Sequence, residues 1–279
     1  MSTRSALASP EVGAPRVVLR GVTLAHGRRV ALTDVDLEFD AGRITSIIGP
    51  NGSGKSTLLH GVIGLLRPVT GTVERQGVAG LGRTPVAYVP QLTRVDEHLP
   101  VTVREIVTLG RYAERGPLRR LRPVDRAAVD EALERLDVAD LARRQIRELS
   151  GGQRQRAFVA RGLAQQAPIL LLDEPVTGLD LPSRRRILHA VREERDAGRV
   201  VVMSTHDLGE AAHADHVVLL AGRVVADGPP EAVLTAEHLS AAYRQRLVRV
   251  EGNVLMLDDA PHHDEEGGEV HPYPGHHHH

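Results

Sequence analysis

Hydrophobic and polar residues alternate along the first part of the chain in the way that β-strands require. Residues 17–24 and 35–39 change sides at every second position, which predicts two antiparallel strands with a turn at residues 26–28. Residues 44–48 form a short, largely β-branched and apolar run, which is typical of a buried strand. The same criteria predict strands at residues 71–73, 85–89, 169–172, 200–203, 217–220 and 224–226.

Between residues 99 and 166 the apolar positions recur at helical spacing instead. Residues 101–112 and 125–136 each place their apolar side chains on one face of a helix. Residues 137–141 predict a short helical turn, and Ser150 is placed as the N-cap of a further helix. Later helices are predicted at residues 183–197 and 208–214, and residues 230–234 and 236–247 close the folded part.

A glycine-rich segment joins the buried strand at residues 44–48 to a helix with apolar positions between residues 58 and 66. This order turns a G-x-x-x-x-G-K-[ST] match into a predicted phosphate site, because backbone N–H groups and the helix start converge on one anion. Lys55 can reach the outer phosphates, and the Ser56 hydroxyl can hold a magnesium ion. The predicted nucleotide-binding residues of this loop are Gly49, Pro50, Asn51, Gly52, Ser53, Gly54, Lys55, Ser56 and Thr57.

The alternative interpretation of this loop is a chance match in a glycine-containing chain. Lys55 is the only lysine among 279 residues, and all the other residues of the Lys and Arg class are arginines. The planar guanidinium of arginine is not the compact point charge that a phosphate loop uses. A chain that avoids lysine and keeps one here favours phosphate chemistry.

Composition narrows the choice of function further. A hydrophobic fraction of 41% is sufficient for a packed core, while 2% aromatic residues and a net charge of −1 argue against nucleic acid as a partner. The absence of cysteine excludes disulfides and thiolate metal sites. No apolar run has the length of a membrane span, and we read no signal peptide at the N-terminus, so a membrane role requires a partner chain.

Polar residues at the predicted strand ends suggest a hydrolytic site. Gln91 can ligate magnesium, and Asp173 can hold the same ion through water. Glu174 can align or deprotonate an attacking water, and His206 can hydrogen-bond the γ-phosphate. Taken singly, Gln91 would be a polar residue at a strand end. Asp173 and Glu174 would form a solvated acidic corner, and His206 would be a structural histidine. Asp180 lies six residues beyond Glu174.

A short LSGGQ segment decides between these interpretations; it consists of Leu149, Ser150, Gly151, Gly152 and Gln153. Together with the loop, Gln91, Asp173, Glu174 and His206, it resembles the ATP-binding cassette (ABC) ATPase family over about residues 16–235. The resemblance implies an α/β fold: a RecA-like P-loop NTPase core, an antiparallel β subdomain and an inserted helical subdomain at about residues 95–165. It also implies ATP and Mg²⁺ as ligands, Asp180 in the D-loop, and a head-to-tail homodimer. In that dimer, Ser150 and Gly152 of one copy meet the ATP bound to the other.

Residues 99–112 and 125–165 resemble more narrowly the ATPases of zinc, manganese or iron importers. The resemblance implies a transmembrane permease, an extracytoplasmic substrate-binding protein and a location at the cytoplasmic face of the cell membrane. ATPases of haem or iron-siderophore importers are the second candidate. Soluble cassette ATPases of DNA repair or translation are the third candidate. Repair members carry long coiled coils or zinc cysteines and translation members carry two cassettes, and the chain has none of these features. A phosphate-loop kinase would lack LSGGQ.

The chain departs from the family pattern at two places. His26 stands where the family usually has an aromatic residue that stacks on adenine, and Leu181 separates Asp180 from the proline that more often follows it directly. We expect residues 1–15 to be a disordered arm and residues 236–258 a helical or extended segment. The acidic, histidine-rich residues 259–279 are expected to be disordered, and metal contact, a tag remnant and a solvated tail all remain open for them. His213 and His216 are expected to face solvent.

Overall fold

The computed structural model of the chain describes residues 13–77, 84–91, 100–115, 120–243, 247–250 and 254–257. Within these ranges the strands are β1 (Arg16–His26), β2 (Arg29–Asp40), β3 (Arg43–Ile48), β4 (Thr70–Gln76), β5 (Val86–Val89), β6 (Ile169–Asp173), β7 (Val200–Ser204), β8 (His216–Leu220), β9 (Val224–Gly228), β10 (Leu247–Val250) and β11 (Val254–Leu257). The helices are α1 (Lys55–Ile63), α2 (Val103–Arg115), α3 (Pro123–Arg135), α4 (Gly151–Ala164), α5 (Leu181–Asp196), α6 (Leu208–Ala211), α7 (Pro230–Val233) and α8 (Ala236–Tyr243). No helix in the described ranges combines the length and the apolar character needed to cross a membrane.

A six-stranded sheet with strand order β5-β6-β7-β3-β8-β9 forms the centre of the molecule. Its first five strands are parallel, and β9 is antiparallel to β8. Every residue of β6 and β7 is buried, as expected for parallel strands that are covered on both faces. Because β5, β6, β7 and β3 are consecutive neighbours, the segments that follow them meet at one edge of the sheet.

One face of this sheet is covered by a three-stranded antiparallel sheet of order β2-β1-β4 and by α1. The alternation predicted for residues 17–24 and 35–39 is present, since the buried positions of β1 and β2 point into this shared core. Phe39, Leu58 and Leu171 come from the three layers and lie in one hydrophobic cluster. The core therefore fixes α1, and with it the glycine-rich loop, against the central sheet.

Helices α4 and α5 cover the other face, and α2 and α3 pack against α4. Their apolar side chains form one cluster with residues of β6 and β7, which explains the helical spacing of the sequence in this region. A buried ion pair joins α2 to α3, with 2.9 Å between Arg111 Nη2 and Asp125 Oδ1. Arg111 Nη1 also donates to the carbonyl of Ala164 at the end of α4, 3.0 Å away. A buried charge that is paired and hydrogen-bonded in this way costs much to break, so it holds the three helices in one arrangement.

The structure corrects two local predictions. Residues 137–141 form turns rather than a helical turn, because Asp137 has a φ of 54° that a helix cannot accommodate. The described part of residues 236–258, expected to be helical or extended, contains both, since α8 ends at Tyr243 and Leu247 begins β10, which pairs with β11. His26 belongs to β1 rather than to the turn, since it pairs with Arg29 across a shorter connection.

Candidate active site

The glycine-rich loop lies between β3 and α1, as predicted. Gly49 has a φ of 149°, and a Cβ there would lie 2.2 Å from the carbonyl oxygen of Leu220. Gly54 is the N-cap of α1 with a φ of 104°, and no side chain caps the helix. Glycine is therefore required at both positions, and the start of α1 is left without a side-chain acceptor in the described structure. An anion placed there can accept the N–H groups of the first turn.

Lys55 is the first residue of α1, and only 7% of it is exposed. Its Nζ donates to the carbonyl oxygens of Gly49 at 2.8 Å and Pro50 at 3.3 Å, so the ammonium lies under the loop. Burial lowers the pKa of Lys55, while the charges of Glu174 and Asp173 oppose that shift. A phosphate at the loop would add opposite charge beside a cation that is otherwise poorly solvated.

A cavity of about 690 Å³ lies in front of this loop, within the size range of small-molecule sites. Its wall contains the loop from Asn51 to Thr57 together with His26, Gln91 and Glu174. The tertiary structure thus brings together residues that are widely separated in sequence. Asp173 precedes Glu174 and is 4% exposed, whereas the side chain of His206 lies 3.4 Å from Glu174 and is 51% exposed.

Glu174 is the point at which the predicted catalytic residues meet. Its Oε2 lies 3.1 Å from Gln91 Nε2 and 3.4 Å from His206 Nδ1, and it accepts from Thr177 Oγ1 at 3.1 Å. The residue has a φ of 46°, which is unfavourable for a side chain of this kind. Backbone strain of this type persists where the surrounding structure enforces it, and it is concentrated at functional sites.

Ser204, the last residue of β7, holds both carboxylate residues in place. Its Oγ lies 2.5 Å from Asp173 Oδ1, to which it donates, and it accepts from the backbone N–H of Glu174 at 2.9 Å. Our sequence reasoning missed this residue. The available signal was a serine at the end of an otherwise apolar, buried strand, since a buried hydroxyl requires partners.

Tyr88 in β5 approaches Asp173 from the opposite side. Its hydroxyl lies 3.4 Å from Asp173 Oδ2 and 3.1 Å from Nε2 of His60. Burial, together with the charge of Asp173, raises the pKa of Tyr88 well above its usual value, so the hydroxyl stays protonated and available as a donor. Tyr88 and His60 were also missed, because nothing in the sequence spacing indicates that α1 and β5 meet beside β6.

His26 lies in the cavity wall at the end of β1, and its Nε2 is 3.1 Å from Thr57 Oγ1. The predicted adenine contact is therefore on the same cavity as the phosphate loop, and Arg29 and Val30 continue the wall at the start of β2. The side chain of Val30 is an exposed apolar surface within this wall. The role of His26 in binding the base remains a prediction.

The LSGGQ segment lies outside this cavity, at the start of α4. Ser150 is the N-cap of α4, as predicted: its Oγ accepts from the N–H of Gln153 at 3.3 Å, and its own N–H donates to Gln153 Oε1 at 3.1 Å. Leu149 is buried, and Gly151 is exposed. A Cβ on Gly152 would lie 2.5 Å from both Asp180 Oδ1 and Ser183 Oγ, so glycine allows α4 to approach the start of α5.

Asp180 is the N-cap of α5 and accepts from the N–H of Ser183 at 3.3 Å. Hydrogen bonds from Ser183 lower the pKa of Asp180, which keeps this carboxylate ionised. Leu181, the departure from the family pattern, is the first residue of α5 and is exposed, so it does not disturb the core.

His213 is exposed as expected, but His216 is only partly exposed, and its Nε2 lies 2.5 Å from Asp227 Oδ1. The histidine-rich tail lies outside the described residues.

Two features of this geometry define a class of protein. A phosphate loop connects a parallel strand to a helix, and two carboxylates end a nearby strand of the same sheet, which is the arrangement of a P-loop nucleotide hydrolase. The model of the ABC transporter family matches residues 32–177, more than half of the chain. The chain therefore belongs to the ABC transporter family, and the predicted family, the ABC ATPase fold and the ATP-hydrolysing subunit are confirmed.

Similar proteins include ATP-binding proteins of metal transport systems. The chain is 41% identical over 228 residues to the manganese transport system ATP-binding protein MntB of Listeria innocua, covering 81% of this chain and 95% of that protein. It is 39% identical to the zinc transport system ATP-binding protein TroB of Treponema pallidum, covering 81% and 86%. A solved ABC transporter of the metal-chelate type, in an inward-facing conformation, matches with a TM-score of 0.73 and 26% identity, covering 85% of this chain and 94% of that one.

Proposed function

We propose that this subunit binds MgATP in the cavity and couples its hydrolysis to the import of a divalent metal ion, such as zinc, manganese or iron, through a separate permease. The observation that carries the catalytic part is the convergence of Gln91 and His206 on one oxygen of Glu174 at the edge of the phosphate loop. The metal specificity is supported by the names of the relatives, which include manganese and zinc transport systems.

Each residue near the loop has a distinct task in this proposal. Lys55 and the N–H groups at the start of α1 bind the β- and γ-phosphates. Glu174 orients a water molecule and accepts its proton as the water oxygen bonds to the γ-phosphorus. The bond from that phosphorus to the bridging oxygen breaks, and ADP and phosphate are the products. His206 and Gln91 contact the γ-phosphate side and keep Glu174 in place.

The residues around the loop also fit a magnesium ion. Ser56 at the start of α1, the amide of Gln91 and the buried carboxylate of Asp173 offer oxygen donors, which are the ligands that this ion prefers. When bound with ATP, the ion would neutralise phosphate charge. Ser204 and Tyr88 hydrogen-bond the two oxygens of Asp173, so this carboxylate is already oriented.

The proposal includes a head-to-tail homodimer. The helix start at Ser150 and Gly152 lies away from the cavity of its own chain, so it is available to the ATP bound to a second copy. The donors at that helix start would complete the open side of the phosphate site. An extracytoplasmic substrate-binding protein and a position on the cytoplasmic face of the membrane, through the permease, belong to the same proposal.

An iron-chelate cargo is the second candidate. It is supported by the similarity to the metal-chelate type transporter and by 38% identity to the chelated iron transport system membrane protein YfeB of Yersinia pestis, over 88% of this chain and 86% of that protein. The fold does not distinguish direction, because a bacterial Atm1-family ABC exporter with ATP bound also matches, with a TM-score of 0.68 and 26% identity over 85% of this chain and 42% of that one.

Uptake by cells tests both proposals. A strain that lacks this subunit is compared with the same strain carrying wild-type protein or Glu174→Gln, and accumulation of labelled manganese, zinc, iron and a ferric siderophore is followed separately. We expect wild-type protein, but not Glu174→Gln, to restore uptake of one free divalent ion. Restoration of the siderophore alone would support the second candidate, and unchanged accumulation of all four would overturn import of metal.

A further inference from the structure

Two helices start beside the site, and one arginine connects them. Helix α5 begins directly after Asp180, and α6 begins two residues after His206. Arg184 lies one turn into α5, and its Nη2 donates to Asp207 Oδ2 at 3.0 Å and forms an ion pair with Glu210 Oε1 at 3.1 Å. The mechanism proposed above gives this arginine no role.

The residues on both sides of His206 are held by the same network. Asp207 caps α6, because its Oδ1 accepts from the N–H groups of Gly209 at 2.7 Å and Glu210 at 3.2 Å. On the other side of His206, the buried Thr205 donates from Oγ1 to Glu210 Oε2 at 2.6 Å and accepts from the N–H of Asp207 at 3.1 Å. The backbone that carries His206 is therefore fixed through two carboxylates, both of which contact Arg184.

The charges in this network require the arginine. Burial raises the pKa of Glu210, and the nearby charge of Asp207 acts in the same direction, whereas Thr205 and Arg184 oppose it. The pKa of Asp207 is lowered although burial acts to raise it, because the N–H groups of Glu210 and Gly209 and the charge of Arg184 stabilise the ionised form. Without Arg184, two neighbouring carboxylates would lose their shared cation and repel each other.

We propose that Arg184 is a positioning residue: it holds the segment from Thr205 to Asp207 so that His206 faces Glu174, and it ties that segment to the helix that begins at Asp180. The side chain of His206 is half exposed and lies 3.4 Å from Glu174 Oε2, so its direction depends on the backbone that Arg184 fixes. The inference rests on the proposed role of His206 in ATP hydrolysis.

The test is a double-mutant cycle on the purified full chain, with kcat, KM for ATP and Tm measured for each variant. Arg184→Gln is combined with His206→Ala, and Arg185→Gln is the matched control, because Arg185 is the next residue of α5 and is exposed. We expect Arg184→Gln to lower kcat about tenfold with KM unchanged, and the control to stay within about twofold of wild type. In the His206→Ala background, Arg184→Gln should add less than about twofold, because its effect passes through His206. Arg184→Lys should recover part of kcat.

The possible results separate this inference from the proposed function. An equal loss in both backgrounds, or an unchanged kcat in Arg184→Gln, overturns the positioning role while the role of His206 stands. A wild-type kcat in His206→Ala overturns the role of His206 and this inference together. If Arg184→Gln does not fold, Asp207→Asn serves instead, since an amide oxygen keeps the helix cap but loses the ion pair. Asp207→Asn should then lower kcat in the wild-type background but not in the His206→Ala background. Any other pattern of kcat values counts against the inference.

Discussion

Helices α1 and α4 both begin at glycine-rich segments, but they satisfy their first N–H groups in opposite ways. At α1 the N-cap is Gly54, and no side chain accepts a hydrogen bond. At α4 the N-cap is Ser150, and its side chain and that of Gln153 form a reciprocal capping box. Neither helix has an acidic residue in its first turn, which leaves the positive end of each helix available to an anion.

The difference teaches how one chain can contain two unlike anion sites. Helix α1 depends on a ligand to accept its first N–H groups, and Lys55 is buried beside them, so this start is a primary binding site. Helix α4 is already stable without a ligand, because the capping box satisfies two donors. Gly151 is exposed. In the proposed dimer it would contact the ATP of a second copy without being needed for the helix.

The largest effect is expected for a variant that leaves both helix starts intact and removes only the proposed catalytic carboxylate. Glu174→Gln should slow hydrolysis by about a hundredfold or more, because an amide cannot accept the proton of water. It should still bind ATP, since its amide oxygen can keep the contact with Thr177. Steady-state turnover and calorimetric ATP affinity measure the two effects separately, and wild-type turnover would refute the assignment.

The same variant tests the assembly of the two helix starts. With saturating ATP and magnesium, Glu174→Gln should accumulate as a dimer, because bound ATP is not consumed. Light scattering with and without nucleotide measures this. A protein that stays monomeric under both conditions would contradict the proposed contact between Ser150 of one copy and the ATP of the other.

Lys55→Arg should weaken ATP binding next most strongly. The position is buried and the ammonium lies 2.8 Å from the carbonyl of Gly49, a contact that a compact point charge makes and a planar guanidinium does not reproduce. Loss of a charge-assisted hydrogen bond predicts a rise in Kd of about tenfold or more. Ser150→Ala is the control, and it should leave the Kd of the monomer unchanged. Equal Kd values for wild type and Lys55→Arg would show that α1 does not need its lysine.

A serine-to-alanine pair tests the capping difference directly. Ser150→Ala should lower the free energy of unfolding by about 1 kcal/mol, because it removes the cap of α4. Ser53→Ala in the α1 loop should change it much less, since Ser53 Oγ has no hydrogen-bond partner among the described residues. Denaturant unfolding without nucleotide measures both, and equal losses would mean that the two helix starts are stabilised alike.

The smallest effect concerns the base rather than the phosphates. His26→Tyr should enlarge the stacking surface and tighten ATP binding by about 0.5–1.5 kcal/mol, while His26→Ala should weaken it. Neither should change the affinity for tripolyphosphate, because the loop from Gly49 to Thr57 is untouched. Calorimetry with both ligands on wild type and the two variants makes the comparison. If all three proteins bind ATP alike, His26 only supports Thr57, 3.1 Å away.

Local rules of sequence were sufficient for most of the elements and for the two glycine-rich helix starts. The buried strands β6 and β7 are short apolar runs, the phosphate loop follows its strand without a gap, and Ser150 with Gln153 forms a recognisable capping box. The same rules failed at residue 137, where a positive φ excludes the predicted helical turn, and they left helix and strand open for residues 236–258, where the structure has α8 and the β10–β11 pair. Short apolar runs carry no signal that separates helix from strand.

The residues that carry the proposed chemistry could be chosen from sequence because each follows a predicted strand, and parallel strands end at one edge of a sheet. Only the tertiary structure decided which of them meet. The strand order β5-β6-β7-β3 brings Gln91 and His206 to Glu174. It also places Ser204 and Tyr88 against Asp173. Arg184 connects α5, which follows Asp180, to α6, which follows His206. These contacts join residues many positions apart, and their partners are set by strand order and helix packing, which no local pattern of hydrophobic and polar residues specifies.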